Sequence, residues 1–450
     1  MEAVTDRRVL RIALPIVLSN ATVPLLGAVD TGVVGQMGMA APIGAVGIGA
    51  IILASVYWIF GFLRMGTSGL AAQAHGAGDV GERGAVLIRA LAIAAAAGAL
   101  FIAAQGGILW GAFRLAPASA EVEALASDYL TIRIWGAPAT IALYAVTGWL
   151  IAIERTKGVL ILQLWMNGLN IVLDLWFVLG LGWGVEGVAV ASLIAEWTGL
   201  GLGLWLCRAA FGRAALTDRA RLLAVAPLRR MLAVNTDIMI RSVLLQASFT
   251  TFLFLGAGQG DVTLAANQVL LQFLEITAYA LDGFAFAAET LVGQAVGARR
   301  RDLVRRASIL SSRWGVGGGL VLGVAFVALG PGIIDLMATD PAVRAEARAY
   351  LPWMGIAPLI GIASWMLDGI FIGALLTRAM RNAMLVSVAV YVCALLLLVP
   401  MLGNHGLWAA LMVLNVTRGL TMARLYPRAE AAAGQSQAAR PVPATAAGEP

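Results

Sequence analysis

The chain has 450 residues, 60% of them hydrophobic and 12% charged, with a formal net charge of +6 and a mean hydropathy of +0.86. Soluble domains carry about 25% charged residues, and soluble chains of this length divide into domains with charged surfaces. The composition therefore excludes a cytosolic enzyme, a disulfide scaffold, a collagen and a largely disordered chain, and leaves a polytopic membrane protein.

Apolar runs long enough to cross the hydrocarbon, about 20 residues at 1.5 Å each, fall near 10–36, 43–66, 83–108, 122–153, 157–182 and 185–207. A second set falls near 228–256, 263–290, 302–330, 343–375, 378–401 and 405–426. These predict twelve helices, because lipid offers backbone polar groups no partner outside a helix or a closed barrel. The runs are continuous, not alternating over about ten residues as barrel strands are. The first run follows Arg7, Arg8 and Arg11 and is too long for a signal peptide, so it is expected to be retained.

Nearly all the basic residues are arginine, and most gather in alternate loops: Arg7 to Arg11, Arg83 to Arg89, Arg155 with Lys157, Arg208 to Arg230, Arg299 to Arg313, Arg378 with Arg381, and Arg418 onward. The loops between, such as Gly180 to Glu186 and Gly256 to Val262, are almost free of them. That alternation puts both termini in the cytoplasm. The basic balance reports topology and not a nucleic-acid partner. Arginine-rich, lysine-poor usage suggests a bacterium and its inner (plasma) membrane. Cys207 and Cys393 are far apart in apolar runs, expected to be buried, and suggest neither a disulfide nor a metal site.

The two sets of six resemble each other. Gly69-Leu-Ala-Ala-Gln-Ala-His-Gly-Ala77 parallels Thr290-Leu-Val-Gly-Gln-Ala-Val-Gly-Ala298 at an offset of 221, and Tyr129-Leu130 recurs as Tyr350-Leu351. Gly184-Val-Glu-Gly parallels Gly403-Asn-His-Gly at 219. Six is even, so both halves enter from one side, and such parallel repeats place the substrate between lobes. The expected organisation is an N-terminal lobe over 1–207, a cytoplasmic linker over 208–227, a C-terminal lobe over 228–426 and a disordered cytoplasmic tail over 427–450.

No phosphate-cradling GxxxxGK[ST] and no HExxH is present, and His75 and His405 stand at predicted helix ends. Neither an enzyme nor a cofactor is expected. The informative residues are ionisable groups at membrane depth, which are functional or paired by default. Asp30 lies about two turns from the outer end of the first run. Asn170 and Asp174, four apart, share a face of the fifth at a similar depth. Ser192 on the sixth is level with them, and Glu196 is a turn deeper. Asp30, Asn170, Asp174 and Ser192 can meet in one pocket of the first lobe. Two carboxylates brought together favour holding a proton, and with the Asn and Ser oxygens they also form a candidate Na⁺ site. Pro15 and Pro24 offer bending points in the first helix.

Phe62-Leu-Arg-Met-Gly-Thr-Ser-Gly-Leu-Ala-Ala-Gln-Ala-His-Gly-Ala77, the Val-Asp-Thr around Asp30, and Asn170-Ile-Val-Leu-Asp174 resemble the multidrug and toxic compound extrusion (MATE) family, in its DinF-like branch, from about Arg7 to Tyr426. The resemblance implies two six-helix bundles forming a V and export of organic cations and other amphiphiles driven by inward H⁺ or Na⁺. It assigns Asp30, Asn170, Asp174 and Ser192 to the cation site. Two departures stand out: Leu175 where the family commonly has Pro after the Asp, and Ser192 where it has Thr.

The second lobe has its own polar set. Asp237 and Arg241, four apart, are expected to form an intrahelical ion pair. Gln268, Glu275, Asp282 and Glu289 recur every seven residues as one stripe on the eighth run, with Asp368 approaching from the tenth. This set is read as a network centred on Arg241, with Glu275 and Asp368 as candidates for a proton path or a cationic-substrate site. Glu289 is expected to pair with the arginines after Gln294, and Arg64 to snorkel to the cytoplasmic surface. Arg133 and Arg241 stand as the two deep arginines against several deep acids, which favours cationic cargo. The expected protein is a monomeric antiporter in contact with lipid. A lipid-linked precursor flippase of the same superfold is the alternative. A major-facilitator carrier fits less well, since Gly76-Ala-Gly-Asp-Val-Gly-Glu-Arg-Gly84 only partly matches that family's loop. A membrane scaffold or receptor would have no need of buried Asp30 and Asp174.

Overall fold

The structure, a computed structural model, describes residues 2–36, 39–115, 119–212 and 218–435. It is all-helical and polytopic. Eleven helical segments among the described residues are long and apolar enough to cross a membrane. The remaining span, the first, is broken into Asp6–Ala21 and Val23–Gly35. Pro24 brings about the break, since it cannot donate to the preceding turn and its ring crowds that turn's carbonyl. Asn167 of the fifth span covers the interruption, donating to the Thr22 carbonyl (3.2 Å) and hydroxyl (2.9 Å).

The N-terminal lobe continues with Ala40–Ile59 and Gly61–Gly76 as the second span, Val80–Ala103 as the third, and Ala120–Arg133 with Ala137–Ala152 as the fourth. Thr156–Asp174 is the fifth and Gly184–Leu206 the sixth. A linker that includes the short helices Arg208–Phe211 and Arg219–Leu222 leads to the seventh span, Val225–Ala257. Then come Asp261–Gly297, Arg301–Met337, Pro341–Gly373, Thr377–Leu402 and Asn404–Gln435. Starts follow local chemistry: Thr5, Asp79, Ser119 and Asp340 each accept a hydrogen bond from a backbone N–H of the turn they precede.

Two expectations are corrected here. Residues 427–435 are not the start of a disordered tail; they continue the twelfth helix. Ala429 and Ala433, four apart and buried, join the main core, and Glu430 pairs with Arg301 of the ninth helix at 3.2 Å. Residues 436–450 of the expected tail, and 213–217 of the linker, lie outside the described residues. Cys393 is exposed where Cys207 is buried, because an apolar side chain in a membrane helix is as well placed facing lipid as facing the core.

The internal repeat is written in the backbone. Glu154 (φ 60°) and Leu375 (φ 55°) both take the left-handed conformation, as do Gly78 (φ 71°) and Arg299 (φ 59°), each pair 221 residues apart. The seam between lobes obeys the same relation. Gln294 Nε2 donates to the Ala152 carbonyl at 3.0 Å, and Gln73 Nε2 to the Gly373 carbonyl at 3.0 Å. A Cβ on Gly76 would strike the Gln294 carbonyl, and one on Gly297 would strike that of Gln73. Ala72 and Gly293, mates by the repeat, meet each other. The arginine-rich ends of the lobes thus close backbone to backbone about a local pseudo-twofold, a packing that only small residues permit. Contact runs along the eighth helix as far as Tyr279, whose carbonyl accepts from Asn20 at 3.1 Å. Beyond it Glu275, Gln272 and Gln268 are exposed. The helix Val23–Gly35 packs within its own lobe, on the second, fifth and sixth spans. The two bundles form a V.

Candidate functional site

The break at Thr22 sets Val23–Gly35 against the fifth and sixth spans and brings Asp30 to their polar faces. On the fifth, Gln163, Asn167, Asn170 and Asp174 lie on one face, spaced by four, three and four residues. Gln163 Nε2 donates to Asn167 Oδ1 at 3.0 Å, and Asn167 holds the break in the first span.

Asn170 is the hub. With its carboxamide oriented so that donors meet acceptors, Nδ2 donates to Asp30 Oδ1 at 3.1 Å and to Asp174 Oδ2 at 3.0 Å. Its Oδ1 accepts from Ser192 Oγ at 3.0 Å and from the Ser192 backbone N–H at 3.2 Å. The carboxyls of Asp30 and Asp174 are also within hydrogen-bond reach of each other. The four first-lobe residues expected to meet do meet. Asp174 is fully buried, and its Oδ1 has no hydrogen-bond partner among the described residues. At Leu175 the helix widens instead of kinking: the Leu181 N–H donates to the Trp176 carbonyl at 2.9 Å, five residues back. Such wide turns recur at functional sites.

Beside the acid pair sits a buried ion pair that sequence reasoning left unconnected. Arg133 grips Glu196 with both nitrogens, Nη1 and Nη2, at 2.8 Å each. Gly136 makes room, since a Cβ there would collide with Glu196 Oε2. Glu196 engages the guanidinium, and among the described residues Arg133 makes no ion pair with Asp30. The Arg–Gly pair at the fourth-span turn was the available signal.

In the second lobe the acids distribute differently from expectation. Asp237 and Arg241 do not pair. Asp237 accepts from Arg381 Nη1 (2.6 Å) and Thr377 Oγ1 (3.1 Å) of the eleventh helix. Arg241 pairs with Asp368, which also takes Arg418 Nη2 at 2.7 Å. Arg418, 3% exposed, is a deep arginine the hydropathy pattern concealed near a basic helix end. Arg64 is another: it is buried rather than snorkelling, with its guanidinium 3.9 Å from the Phe286 ring centroid and Nη1 3.6 Å from Glu289. Glu289 therefore pairs across the lobe seam and not with the arginines beyond Gln294. A partner already inside the protein makes exit to the surface unnecessary. The eighth-span stripe divides: Asp282 is half-buried in the field of Arg64 and Arg241, whereas Glu275 is exposed.

Two six-helix bundles joined at one end, with two carboxyls gathered on an amide inside one of them, define a polytopic membrane transporter. Comparison with known proteins narrows the class. The MatE family matches this chain twice, over residues 15–176 and 238–398, once in each lobe. The DNA damage-inducible protein F of Escherichia coli (strain K12) is 39% identical over 433 residues, 94% of this chain and 92% of that one. Among solved structures, an outward-facing MATE family multidrug resistance transporter of the MOP superfamily superposes with a TM-score of 0.81 at 18% identity, over 96% of this chain and 97% of that one. A MATE structure in a bent conformation gives 0.84 at 17% identity, over 97% and 100%. The chain belongs to the MatE family, and within it is a DinF-like transporter.

Proposed function

We propose that this protein is a secondary active exporter of small amphiphilic or cationic compounds, coupled to cation entry at Asp30 and Asp174. The observation that carries the reading is the Asn170 amide bridging both carboxyls while Asp174 Oδ1 stays buried with no hydrogen-bond partner among the described residues. Two carboxylates so placed repel each other in a medium of low dielectric, and a shared proton removes the repulsion. Exchange of that proton changes the hydrogen bonds holding Val23–Gly35 to the fifth span. The helix is free to respond because the break at Thr22 separates it from Asp6–Ala21.

We take H⁺ as the coupling ion, because a shared proton relieves the repulsion between two carboxyls held on one amide without calling for further ligands. Arg64, Arg241 and Arg418 are engaged by Glu289 and Asp368. That weighs against the flippase alternative, which calls for free basic groups in the central cavity. The protein acts as a monomer in the inner membrane with both termini cytoplasmic, so the closed arginine-rich end faces the cytoplasm and the cleft opens outward.

The test is ethidium transport in proteoliposomes under separately imposed pH and Na⁺ gradients. Export is expected under the pH gradient, and to fall to background in Asp30→Asn and Asp174→Asn. Transport at the wild-type rate in both variants would sink the assignment and make Glu275 the lead.

A further inference from the structure

Two cavities flank the closed end of the lobe seam. One, of about 840 Å³, is lined by Arg8, His75, Ile153, Glu154, Arg155 and Gln294. The other, of about 680 Å³, is lined by Arg230, Val296, Ala374, Leu375, Leu376 and Gln73. The second repeats the first: five of its positions are displaced by 221 residues, and Arg7-Arg8-Val9-Leu10 recurs as Arg229-Arg230-Met231-Leu232 at 222. His75, Glu154 and Arg155 of the first cavity become Val296, Leu375 and Leu376 in the second, and the loss of the carboxylate is the change that reaches the arginine.

In the first cavity Arg8 is saturated. Its Nε donates to both Glu154 oxygens at 3.1 Å, and its Nη2 to Gln294 Oε1 at 2.7 Å. In the second, Arg230 Nη2 donates to Gln73 Oε1 at 3.3 Å, the counterpart of the Arg8–Gln294 bond. The counterpart of Glu154, however, is Leu375, on the same left-handed backbone. The two other acids on the wall are taken: Asp79 by Arg221 and Glu82 by Arg89, each at 2.7 Å. Arg230 makes no ion pair among the described residues.

We propose that the second cavity binds an oxyanion, a carboxylate or phosphate group that occupies on Arg230 the place Glu154 occupies on Arg8. A guanidinium offers a planar fork matched to two oxygens, and the first cavity shows that this architecture holds a carboxylate. One side of the seam is then stapled by the chain itself and the other by a ligand, so the anion tightens closure of the arginine-rich end.

The test is thermal unfolding of the full chain with two probes. Inorganic phosphate is titrated at constant ionic strength in uncharged detergent. Separately, phosphatidylcholine nanodiscs are compared with nanodiscs that also contain phosphatidylglycerol. A saturable rise of about 2–4 °C in the midpoint is expected with at least one probe. Response to phosphate alone identifies a soluble anion, and response to phosphatidylglycerol alone a lipid headgroup. Arg230→Gln should abolish the rise. Leu375→Glu, which installs the missing carboxylate, should raise the midpoint without any anion and remove the response. Arg8→Gln should lower the midpoint yet keep the response. No rise with either probe, or an equal rise in Arg230→Gln, would overturn the proposal.

Discussion

The two lobes share a backbone and oppose each other in chemistry. By the repeat, Asp30, Asn170 and Asp174 of the first lobe correspond to Phe252, Tyr391 and Leu395 of the second. There Phe252 packs edge-on to Trp408 at 4.6 Å, Tyr391 donates to the Ser248 carbonyl at 3.2 Å, and Leu395 joins the same core. Conversely, Arg241 and Asp368 correspond to Ser19 and Thr147. Each lobe therefore buries a polar cluster at positions where its twin carries no charge. The clusters also differ in completeness. The C-terminal one is ion-paired, two arginines gripping Asp368, and the N-terminal one is two carboxyls with an amide between them. An ion-paired cluster holds structure in place; two carboxyls on one amide are placed to take up a cation.

That contrast can be broken most decisively at Asp368. Asp368→Asn leaves two buried guanidiniums facing each other, and removing one partner of a buried pair costs about 3–5 kcal/mol. A large fall in the unfolding midpoint is expected, while Asp174→Asn keeps the wild-type midpoint and loses coupling. Should Asp368→Asn unfold normally but fail to transport, the C-terminal cluster would be functional and the division of labour would collapse.

The seam supplies a smaller effect. Gly76→Leu and Gly297→Leu both drive a side chain into a facing carbonyl, and overpacking of this kind costs about 1–3 kcal/mol. Because the two contacts are related by the repeat, both substitutions should open the arginine-rich end alike. Maleimide labelling of Ala72→Cys, in a Cys393→Ser background that removes the exposed thiol, measures the opening. Unequal labelling would show the pseudo-twofold to be a resemblance of shape without one of energy.

The smallest expected effect is pH-dependent. Burial raises the pKa of Glu154, but hydrogen bonds and charge from Arg8, with Arg11 and Gln294, outweigh it and hold the carboxyl below the ordinary 4.5. A carboxyl whose folded pKa lies below its unfolded value stabilises the fold above the unfolded value, and that contribution fades as pH falls through the folded one. The first-cavity staple, about 1.5–3 kcal/mol for hydrogen bonds to a charged group, should therefore be intact at neutral pH and lost in acid below 4.5. Glu154→Gln should flatten this part of the pH profile of stability. Its mate Leu375 has no charge to lose, so Leu375→Gln should leave the profile unchanged.

Twelve spans, their pairing into a duplicate and the polar face of the fifth helix were legible in the chain because they rest on local or periodic quantities. These are hydropathy over about 20 residues, arginine placement in loops, motif offsets near 221, and four-residue spacing on a helix. Asp30 with Asn170, Asp174 and Ser192 could be placed together because depth along a span counts residues from its end. Depth does not say which way a long side chain turns. Arg241 reaches Asp368 and not Asp237, Arg64 finds Glu289 across the seam, Arg133 holds Glu196, and Arg230 is left beside a leucine. Those choices belong to the tertiary structure, because an arginine spans several ångströms and takes whichever carboxylate the packing of helices far apart in sequence brings within reach.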